Sequence, residues 1–409
     1  MRATQTLAIA MVLVATATFF TGYYVAPTKT VTTTQTVAYT VTTTTTFTQA
    51  ITPIVTPSTL TVTQTVVREV SRREVKYPIT IVDSAGRAVT IEKEPQRVVV
   101  IASTQAMVLS ALGVGGKVVG APDTATNNPV LMSILQKQGA REVINIGSFS
   151  SPSLEAILSA NPDLVIFYAS FYRNVYDSIA SRLPPNVKVV YFDLYILRTM
   201  FDEIYKLGLI FNRVDRALEL ISKWTSRLTY ITSKAMEIRP SDKAKTFFET
   251  YTDLATAGPG SGWYLVLAIA GGINVFGDVT QPYPKVSPEA VIERNPDVII
   301  KVVSSTRYDP CRMNSTKPLE ETYNTIVSRP GWSTISAVRN NKVYVYTTAY
   351  LDGPGYVIQV ALVAKLLYPD VFKDVDVQRW IYEWLKDIGL ENPEQICKLP
   401  WAYPPTPGK

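Results

Sequence analysis

The side chains that could do chemistry in this chain are carboxylates, cationic groups, hydroxyls and aromatic rings, because its 409 residues include no histidine. Imidazole is the usual ligand or proton carrier of catalytic zinc sites and of Ser-His and Cys-His pairs. A histidine-ligated zinc or manganese site is therefore excluded. The motifs G-x-S-x-G, H-E-x-x-H and G-x-x-x-x-G-K-[ST] are also absent. We therefore expect no enzyme, no cofactor and no metal held by the protein itself.

Two glutamates occupy equivalent places in a segment that the chain repeats. Residues 153–166 and 287–300 are similar, and Glu155 and Glu289 each precede a proline by seven residues. Each copy predicts a helix ended by Asn-Pro, then a turn aspartate and a buried parallel strand. The copies lie 134 residues apart, whereas solenoid repeats run at about 20–50 residues. We therefore expect two similar α/β lobes, and a cleft between lobes is a natural ligand site.

Alternating strand and helix patterns place these lobes along the chain. We predict a first α/β lobe over residues 77–197 and a second over 241–392, followed by a tail at 393–409 that is loose beyond Pro400. A helical segment over 198–240, with a break near Asn212, joins them. The net charge of +6 is spread along the chain without a basic and aromatic cluster, so we expect no nucleic-acid partner.

The first 76 residues have a different composition. Residues 1–27 carry an apolar stretch after Arg2 and predict a secretion signal, a retained membrane anchor, or both in succession. Residues 28–76 predict an extended stalk. Its threonine-rich part, residues 28–67, has about 40 residues and would reach at most ~130 Å. We favour retention of the anchor, and hence a cell-surface, extracytoplasmic protein. The stalk is either O-glycosylated or an unmodified linker.

Two further features concern the compartment. Cys311 and Cys397 could form one disulfide if the compartment is oxidising, and otherwise they remain two free thiols. Asn314 begins an N-x-[ST] sequence and is a candidate for N-glycosylation, which is consistent with exposure outside the cell.

Several linked motifs follow one another along the chain. In chain order they are I-x-D-x-x-G-R from Ile81, P-x-R-V-V from Pro95, A-L-G-V-x-x-K-V-V-G from Ala111, E-A-I-L-x-x-N-P-D-L-V-I from Glu155, A-G-G-x-N from Ala270 and V-S-P-E from Val286. With these motifs the chain resembles the periplasmic-binding-protein family that serves iron-siderophore and vitamin B12 ABC importers, over about three quarters of its length. The resemblance implies two Rossmann-like lobes joined by a long helix, with a ligand in the cleft and little domain closure. The family often has a glutamate where this chain has Met107, which we predict to be a core residue.

The resemblance implies a docking role for the paired glutamates. In that family one glutamate on each lobe contacts arginines of the membrane permease, and the motif match puts these roles on Glu155 and Glu289. Paired carboxylates at equivalent points can address two permease subunits, because charge pairs steer encounter and register. The alternative is that both are ordinary first-turn glutamates, which the helix dipole favours.

Candidate ligand contacts follow the predicted strands, because loops at the carboxyl ends of parallel strands bind ligands in α/β proteins. Phe149 is included because B12-binding relatives have an aromatic residue six positions before the docking glutamate. An arginine- and tyrosine-rich cleft would suit an anionic metal chelate. The predicted contacts are Phe149, Tyr172, Arg173, Tyr251, Trp263, Arg307, Tyr308 and Tyr350.

The resemblance thus predicts an extracytoplasmic solute receptor that delivers a metal chelate to an ABC permease dimer with its ATPase subunits. A ferric siderophore is the first expectation, followed by a cobalamin-type corrinoid and then by haem or an oxyanion such as molybdate or tungstate. A surface sensor or interaction protein that does not transport is the alternative of a different class. The sequence leaves the oligomeric state open.

Overall fold

The structure is a computed structural model that describes residues 74–404. The predicted signal or anchor and almost all of the predicted stalk lie outside the described residues. Within residues 74–404, no helix has both the length and the apolar composition that a bilayer span requires.

The first sheet has five parallel strands in the order β5-β4-β3-β8-β9. Neighbouring residues of a strand face opposite sides of a sheet, and Val98 and Val100 enter a different core cluster from Val99. Both faces of this sheet are therefore covered, as the valine- and isoleucine-rich runs predict. The strands are β3 (Val98–Val100), β4 (Val118–Ala121), β5 (Ile144–Asn145), β8 (Leu164–Phe167) and β9 (Lys188–Tyr191).

The second sheet has the order β11-β10-β12-β13-β14, with parallel pairing except that β14 runs antiparallel to β13. In each sheet the chain reverses its direction of winding beside a central strand, between β3 and β8 and between β10 and β12. Such switch points open a crevice at the carboxyl ends of the strands. The strands are β10 (Lys245–Glu249), β11 (Ile273–Asn274), β12 (Val298–Val303), β13 (Val343–Thr347) and β14 (Ala402–Tyr403).

Two antiparallel ribbons accompany the first sheet. The predicted opening hairpin is confirmed as β1 (Ile79–Val82) and β2 (Ala88–Ile91), and the second ribbon is β6 (Gly147–Ser148) with β7 (Ser151–Pro152). The hairpin turn is closed by Asp83, whose carboxylate accepts backbone N–H groups and the Arg87 guanidinium.

Helices cover the sheets and connect them. Those of the first lobe are α1 (Ser103–Ala111), α2 (Asp123–Thr126), α3 (Pro129–Lys137), α4 (Leu154–Ser159) and α5 (Arg173–Ala180). Those that follow β10 are α8 (Gly262–Ile269), α9 (Pro288–Arg294), α10 (Lys317–Val327), α11 (Ser336–Arg339), α12 (Gly355–Leu367), α13 (Val377–Asp387) and α14 (Pro393–Ile396). Short 3-10 turns occupy Gly115–Lys117, Pro240–Asp242 and Trp332–Thr334.

The predicted connecting segment consists of two helices, α6 (Leu197–Ile210) and α7 (Val214–Met236). Asn212 has a φ of 52° at the junction, which is the predicted break. One apolar face of α7 packs on α12 and α13, where Trp224 meets Trp384 edge to face at 6.0 Å. A single apolar cluster runs from the first sheet through these helices to the second sheet. This shared core is the physical basis for expecting little domain closure.

The two copies of the repeat adopt the same local structure. Ser153 and Ser287 cap α4 and α9 by accepting a hydrogen bond from the backbone N–H three residues later, at 3.2 and 3.1 Å. Both helices end at an asparagine with positive φ, 47° in the first copy and 41° in the second. The aspartate after each proline then accepts the backbone N–H of a residue that leads into the first strand of its own lobe.

The end of the chain departs from the predicted loose tail. Trp401 is 2% exposed, and its indole donates to the carbonyl oxygen of Ala349 at 3.0 Å. The next two residues form β14 and extend the second sheet. A buried tryptophan and a strand ladder hold this segment in place, so the tail is ordered through Tyr403.

A disulfide joins Cys311 to Cys397 and ties the loop after β12 to the segment after α14. Of the two alternatives for these cysteines, the structure therefore supports the pair. Asn314 lies three residues further on and is exposed, as a glycosylation acceptor must be.

Candidate functional site

The base of the candidate cleft is a loop after β13 that reaches across to the first lobe. Gly353 in this loop has a φ of 60°, and a Cβ built on it would lie 3.0 Å from Val108 in α1. Tyr350, in the same loop, places its hydroxyl 3.2 Å from Asn128 Oδ1 of the first lobe and 3.0 Å from Asp309 Oδ2 of the second. The two lobes are thus in direct contact beneath the cleft.

Aromatic rings stand above this base on both sides. In the first lobe, Tyr195 lies 5.4 Å from Tyr168 and 6.0 Å from Phe171, measured between ring centroids. Tyr195 also faces Tyr356 of the second lobe at 6.4 Å. The rings from the second lobe are Tyr251, Trp263 and Tyr283, with Trp263 at 4.8 Å from the first and 6.1 Å from the last.

Three of these rings are open to water. Tyr251, Tyr283 and Phe171 are 48, 40 and 41% exposed. Burial nevertheless raises the pKa of the Tyr251 and Tyr283 phenols, because surrounding protein atoms disfavour the phenolate. Together with Tyr168 and Tyr195, these three rings form the candidate wall of the cleft.

One carboxylate, Asp352, belongs to the loop at the base of the candidate cleft. Burial raises the pKa of Asp352 to about 6, and a hydrogen bond from the Thr104 hydroxyl opposes that shift. Burial raises the pKa values of Tyr168, Tyr251 and Tyr356, and the negative charge of Asp352 raises them further. Within residues 74–404, the ion pairs do not include Asp352.

A second aspartate shapes the first-lobe wall but is fully occupied. Asp193, after β9, accepts hydrogen bonds from the backbone N–H groups of Ala169 and Ser170, each at 3.0 Å, and from the Ser170 hydroxyl at 2.8 Å. Burial raises its pKa, and these donors partly offset the rise. Asp193 therefore fixes the loop that presents Tyr168 and Phe171.

Part of the predicted contact set is exposed. Tyr251 forms part of the wall, and its hydroxyl lies 2.7 Å from the Thr348 hydroxyl. Phe149 and Tyr172 are 39 and 46% exposed and meet edge to face at 5.7 Å on the first lobe. Trp263 is only 8% exposed, so it backs the wall formed by Tyr251 and Tyr283.

Two predicted tyrosine contacts need correction. Tyr308 is fully buried, packs in the core of the second lobe and donates to the carbonyl oxygen of Pro400 at 3.0 Å. Tyr350 is 4% exposed because its positive φ of 62° turns the side chain into the interface between the lobes. Neither side chain presents a free surface to a ligand.

The predicted arginine-rich character of the cleft also needs correction. The Arg173 guanidinium pairs with Asp177 at 2.9 Å and lies 4.1 Å from the centroid of the Tyr191 ring. Arg307 reaches Glu321 at 3.4 Å, and both side chains of that pair are 52% exposed. Arg173 is therefore paired within its own helix, whereas Arg307 belongs to an exposed ion pair on the surface.

The paired glutamates are exposed on the surface of the protein. Glu155 and Glu289 are the second residues of α4 and α9, and both are exposed. Within the described part of the chain, neither carboxylate takes part in a salt bridge or a side-chain hydrogen bond. Two equivalent, unpaired carboxylates, one on each lobe, are available to a partner.

Sequence reasoning missed Asp352 and most of the ring wall, including Tyr168, Tyr195, Tyr283 and Tyr356. Four of these five residues lie in strand-end loops or at the start of the helix that follows such a loop, so the loop rule contained the signal. The rule identifies the loop but not the side chain that points inward. In the loop after β13 it selected Tyr350, whose side chain is buried between the lobes.

Comparison with known proteins gives one consistent result. The family model described as periplasmic binding protein matches residues 98–350. An uncharacterized ABC transporter substrate-binding lipoprotein of Bacillus subtilis is 26% identical over 303 residues, which are 73% of this chain and 88% of that protein. A cobalamin-binding protein of Halobacterium salinarum is 25% identical over 276 residues, 66% of this chain and 70% of that protein. Among solved structures, the TroA-like periplasmic binding protein FepB of Veillonella parvula matches with a TM-score of 0.61 and 22% identity, covering 76% of this chain and 96% of that one.

Proposed function

The chain belongs to the periplasmic binding protein family, and from that premise we propose that it is the extracytoplasmic solute-binding component of an ABC importer. It captures a metal chelate in the cleft between its lobes and delivers it to a permease dimer with its ATPase subunits. The N-terminal segment anchors it to the membrane, with the threonine-rich stalk as spacer. A ferric siderophore is the first candidate cargo, with cobalamin, haem and molybdate or tungstate as alternatives.

The observation that carries this proposal is the wall of aromatic rings at the switch points of two parallel sheets. Binding sites for small molecules are concave and mostly apolar, with a few placed polar groups. Flat aromatic faces stack on the organic shell of a chelate without coordinating its metal. Such a wall suits a large chelate taken up whole better than a small hydrated oxyanion, which needs converging hydrogen-bond donors.

The paired glutamates support delivery rather than binding alone. Glu155 and Glu289 stand at equivalent places on the two lobes, and neither contributes to the ion pairs of the described fold. Exposed carboxylates of this kind steer encounter with a basic partner and fix the register of docking. A surface sensor that does not transport would have no need for the pair.

The test is a fluorescence titration of the full chain, since Tyr251 and Trp263 lie in or just behind the wall. The probes are a ferric trihydroxamate, a ferric triscatecholate, cobalamin, haem and molybdate. Saturable quenching by one chelate at micromolar or tighter affinity would support the receptor function. Absence of binding to every probe would contradict it and would favour the sensor alternative.

A further inference from the structure

The loop after β13 is fixed to the second lobe by three buried side chains. The carbonyl oxygens of residues 349–351 each accept a hydrogen bond from one of them. The donors are, in the same order, Trp401 at 3.0 Å, Trp384 at 2.6 Å and Gln359 at 2.8 Å. Because three consecutive carbonyl groups are held in this way, the loop presents the Tyr350 hydroxyl to the first lobe from a fixed position.

Three oxygen atoms meet at this contact between the lobes. The Tyr350 hydroxyl lies 3.2 Å from Asn128 Oδ1 and 3.0 Å from Asp309 Oδ2, and both are hydrogen-bond distances. Asn128 Oδ1 also accepts two backbone N–H groups in the first turn of α3, at 3.1 and 3.2 Å. The amide oxygen of Asn128, and not its nitrogen, therefore faces Tyr350. Asp309 Oδ1 accepts the backbone N–H two residues later at 2.9 Å, which turns Oδ2 toward Tyr350.

The two contacts of the Tyr350 hydroxyl need two hydrogens, and the hydroxyl supplies one. An amide oxygen and an ionised carboxylate have none to give. If Asp309 were ionised, one of the two contacts would join two oxygens with no hydrogen between them. A neutral Asp309 supplies the missing hydrogen, because its carboxyl group can donate to the Tyr350 oxygen while Tyr350 donates to Asn128.

The surroundings of Asp309 favour the neutral acid. Its side chain is fully buried, and within residues 74–404 the salt bridges do not include it. Burial raises the pKa of Asp309, against the backbone N–H of Cys311, the Tyr350 hydroxyl and the charge of Arg312, which lower it. Burial also raises the pKa values of the neighbouring Tyr308 and Tyr350 phenols, so both stay neutral.

We propose that Asp309 carries a proton in the folded protein and that two hydrogen bonds, from Asp309 to Tyr350 and from Tyr350 to Asn128, position the lobes for ligand binding. The inference rests on the proposed function, because it concerns the cleft between the lobes. An ionised Asp309 would draw the Tyr350 hydrogen to itself, since hydrogen bonds to charged groups are the stronger ones. The bond to the first lobe would then be lost, and affinity falls with the fraction of molecules whose lobes are correctly placed.

The first measurement tests the proton. An infrared difference spectrum between the wild-type full chain and Asp309→Asn is recorded at about pH 7, where an aspartate in water is ionised. We expect the variant to lose the carbonyl band of a neutral carboxyl group, while the bands of all other acids cancel because both proteins contain them. Loss of carboxylate bands instead would overturn the proposal.

The second measurement tests the position of the lobes. Spin labels at Ser159→Cys and Glu293→Cys, which are exposed and equivalent places in the two copies of the repeat, report the separation of the lobes without any ligand. The two native cysteines are joined to each other, so the labels react at the introduced sites. Tyr350→Phe is compared with Tyr308→Phe. Tyr308 is a matched control, because it is also buried and donates at 3.0 Å to a carbonyl oxygen outside the first lobe.

The variants should differ in both label separation and affinity. We expect Tyr350→Phe to broaden the distribution of separations and to weaken binding of a ferric trihydroxamate or of cyanocobalamin by about fivefold. Asp309→Asn should keep both wild-type values, because its amide N–H can donate to the Tyr350 oxygen in place of the acid proton. Tyr308→Phe should keep them as well. A thermal unfolding scan verifies that each variant is folded.

The outcomes separate the proposal from the receptor function. Equal distributions in Tyr350→Phe and Tyr308→Phe would overturn the positioning role and leave the receptor function standing. A broadened distribution in Asp309→Asn would overturn it too, because the amide would then have failed to replace the acid proton. If neither probe binds, the receptor function is overturned, while the infrared and distance measurements need no ligand and still support or overturn the proposal.

Discussion

The two lobes are alike at one end of the repeat and differ at the other. The helices that carry Glu155 and Glu289 share the same serine cap and the same asparagine turn. The strands that follow then diverge, because Phe167 of β8 occupies the place that Lys301 takes in β12, 134 residues later. The helix that carries an exposed glutamate is therefore duplicated in the two lobes, whereas the side chains of the strand that follows it are not.

The difference is chemical as well as geometric. Phe167 is fully buried and stacks on Tyr176, with ring centroids 4.8 Å apart. Lys301 instead belongs to a buried ion cluster. In this cluster the Arg329 guanidinium donates two hydrogen bonds to the Glu249 carboxylate, at 2.9 and 2.8 Å. A symmetric outer face suits a symmetric pair of permease subunits, whereas an asymmetric cleft suits a ligand whose two ends differ.

The largest effect should come from the two equivalent glutamates, one on each lobe. Reversing both charges, with Glu155→Arg and Glu289→Arg together, should reduce uptake by at least about 100-fold while ligand affinity stays within about twofold, because like charges would then meet the permease. Uptake of labelled cargo by cells that carry the cognate importer measures the first quantity, and fluorescence titration measures the second. If the lobes dock equivalently, the single variants lose similar amounts, and a normal rate in the double variant would contradict docking.

The ion cluster provides the next largest effect, and it is confined to the second lobe. Glu249→Gln should lower the free energy of unfolding by about 3–5 kcal/mol, because the Arg329 guanidinium would lose the carboxylate that accepts both of its hydrogen bonds, and Lys301 would keep only Asp253. Urea denaturation followed by far-UV circular dichroism measures the change. The matched control is Glu219→Gln, since Glu219 pairs with Arg216 but its side chain is 66% exposed. A loss no larger than that of the control would show that the cluster is not a structural requirement.

The third effect concerns Asp193, which supports the first-lobe wall. Asp193→Ala should cost about 2–3 kcal/mol of stability, because it removes the acceptor for two backbone N–H groups and a hydroxyl in the first-lobe wall. The wall loop carries Tyr168 and Phe171, so affinity for the cargo should fall as well. Unfolding and titration of the same variant test both statements, and wild-type stability would mean that solvent replaces the carboxylate freely.

A structural feature could be predicted from the sequence when the residues that determine it lie close together along the chain. The repeat was readable because serine caps, Asn-Pro and buried strands act within a few residues. The break near Asn212 and the hairpin closed by Asp83 are local for the same reason. Met107, where the family often has a glutamate, was expected in the core and is 3% exposed.

The cleft was only partly predictable, because its side chains are selected by contacts between distant segments. Tyr350 was expected to face the ligand, but its partners are Asn128 and Asp309, which no short-range pattern connects to it. Arg173 was expected to bind an anion, but it is captured by Asp177 one turn later in its own helix. That capture had a signal, since an Arg and an Asp four residues apart on a helix commonly pair.

The smallest effect is the pH dependence that Asp352 gives to the stability of the protein. Burial holds the pKa of Asp352 at about 6 in the folded protein, above the value of about 3.9 expected in an unfolded chain. The folded state therefore binds the extra proton between these values, and wild-type stability should fall as pH rises from about 4 to about 7. An amide at this position cannot titrate, so Asp352→Asn should be more stable than wild type at pH 7 and nearly equal to it at pH 4, and urea unfolding of both proteins at the two pH values measures the difference. An equal difference at both pH values would contradict the titration of Asp352.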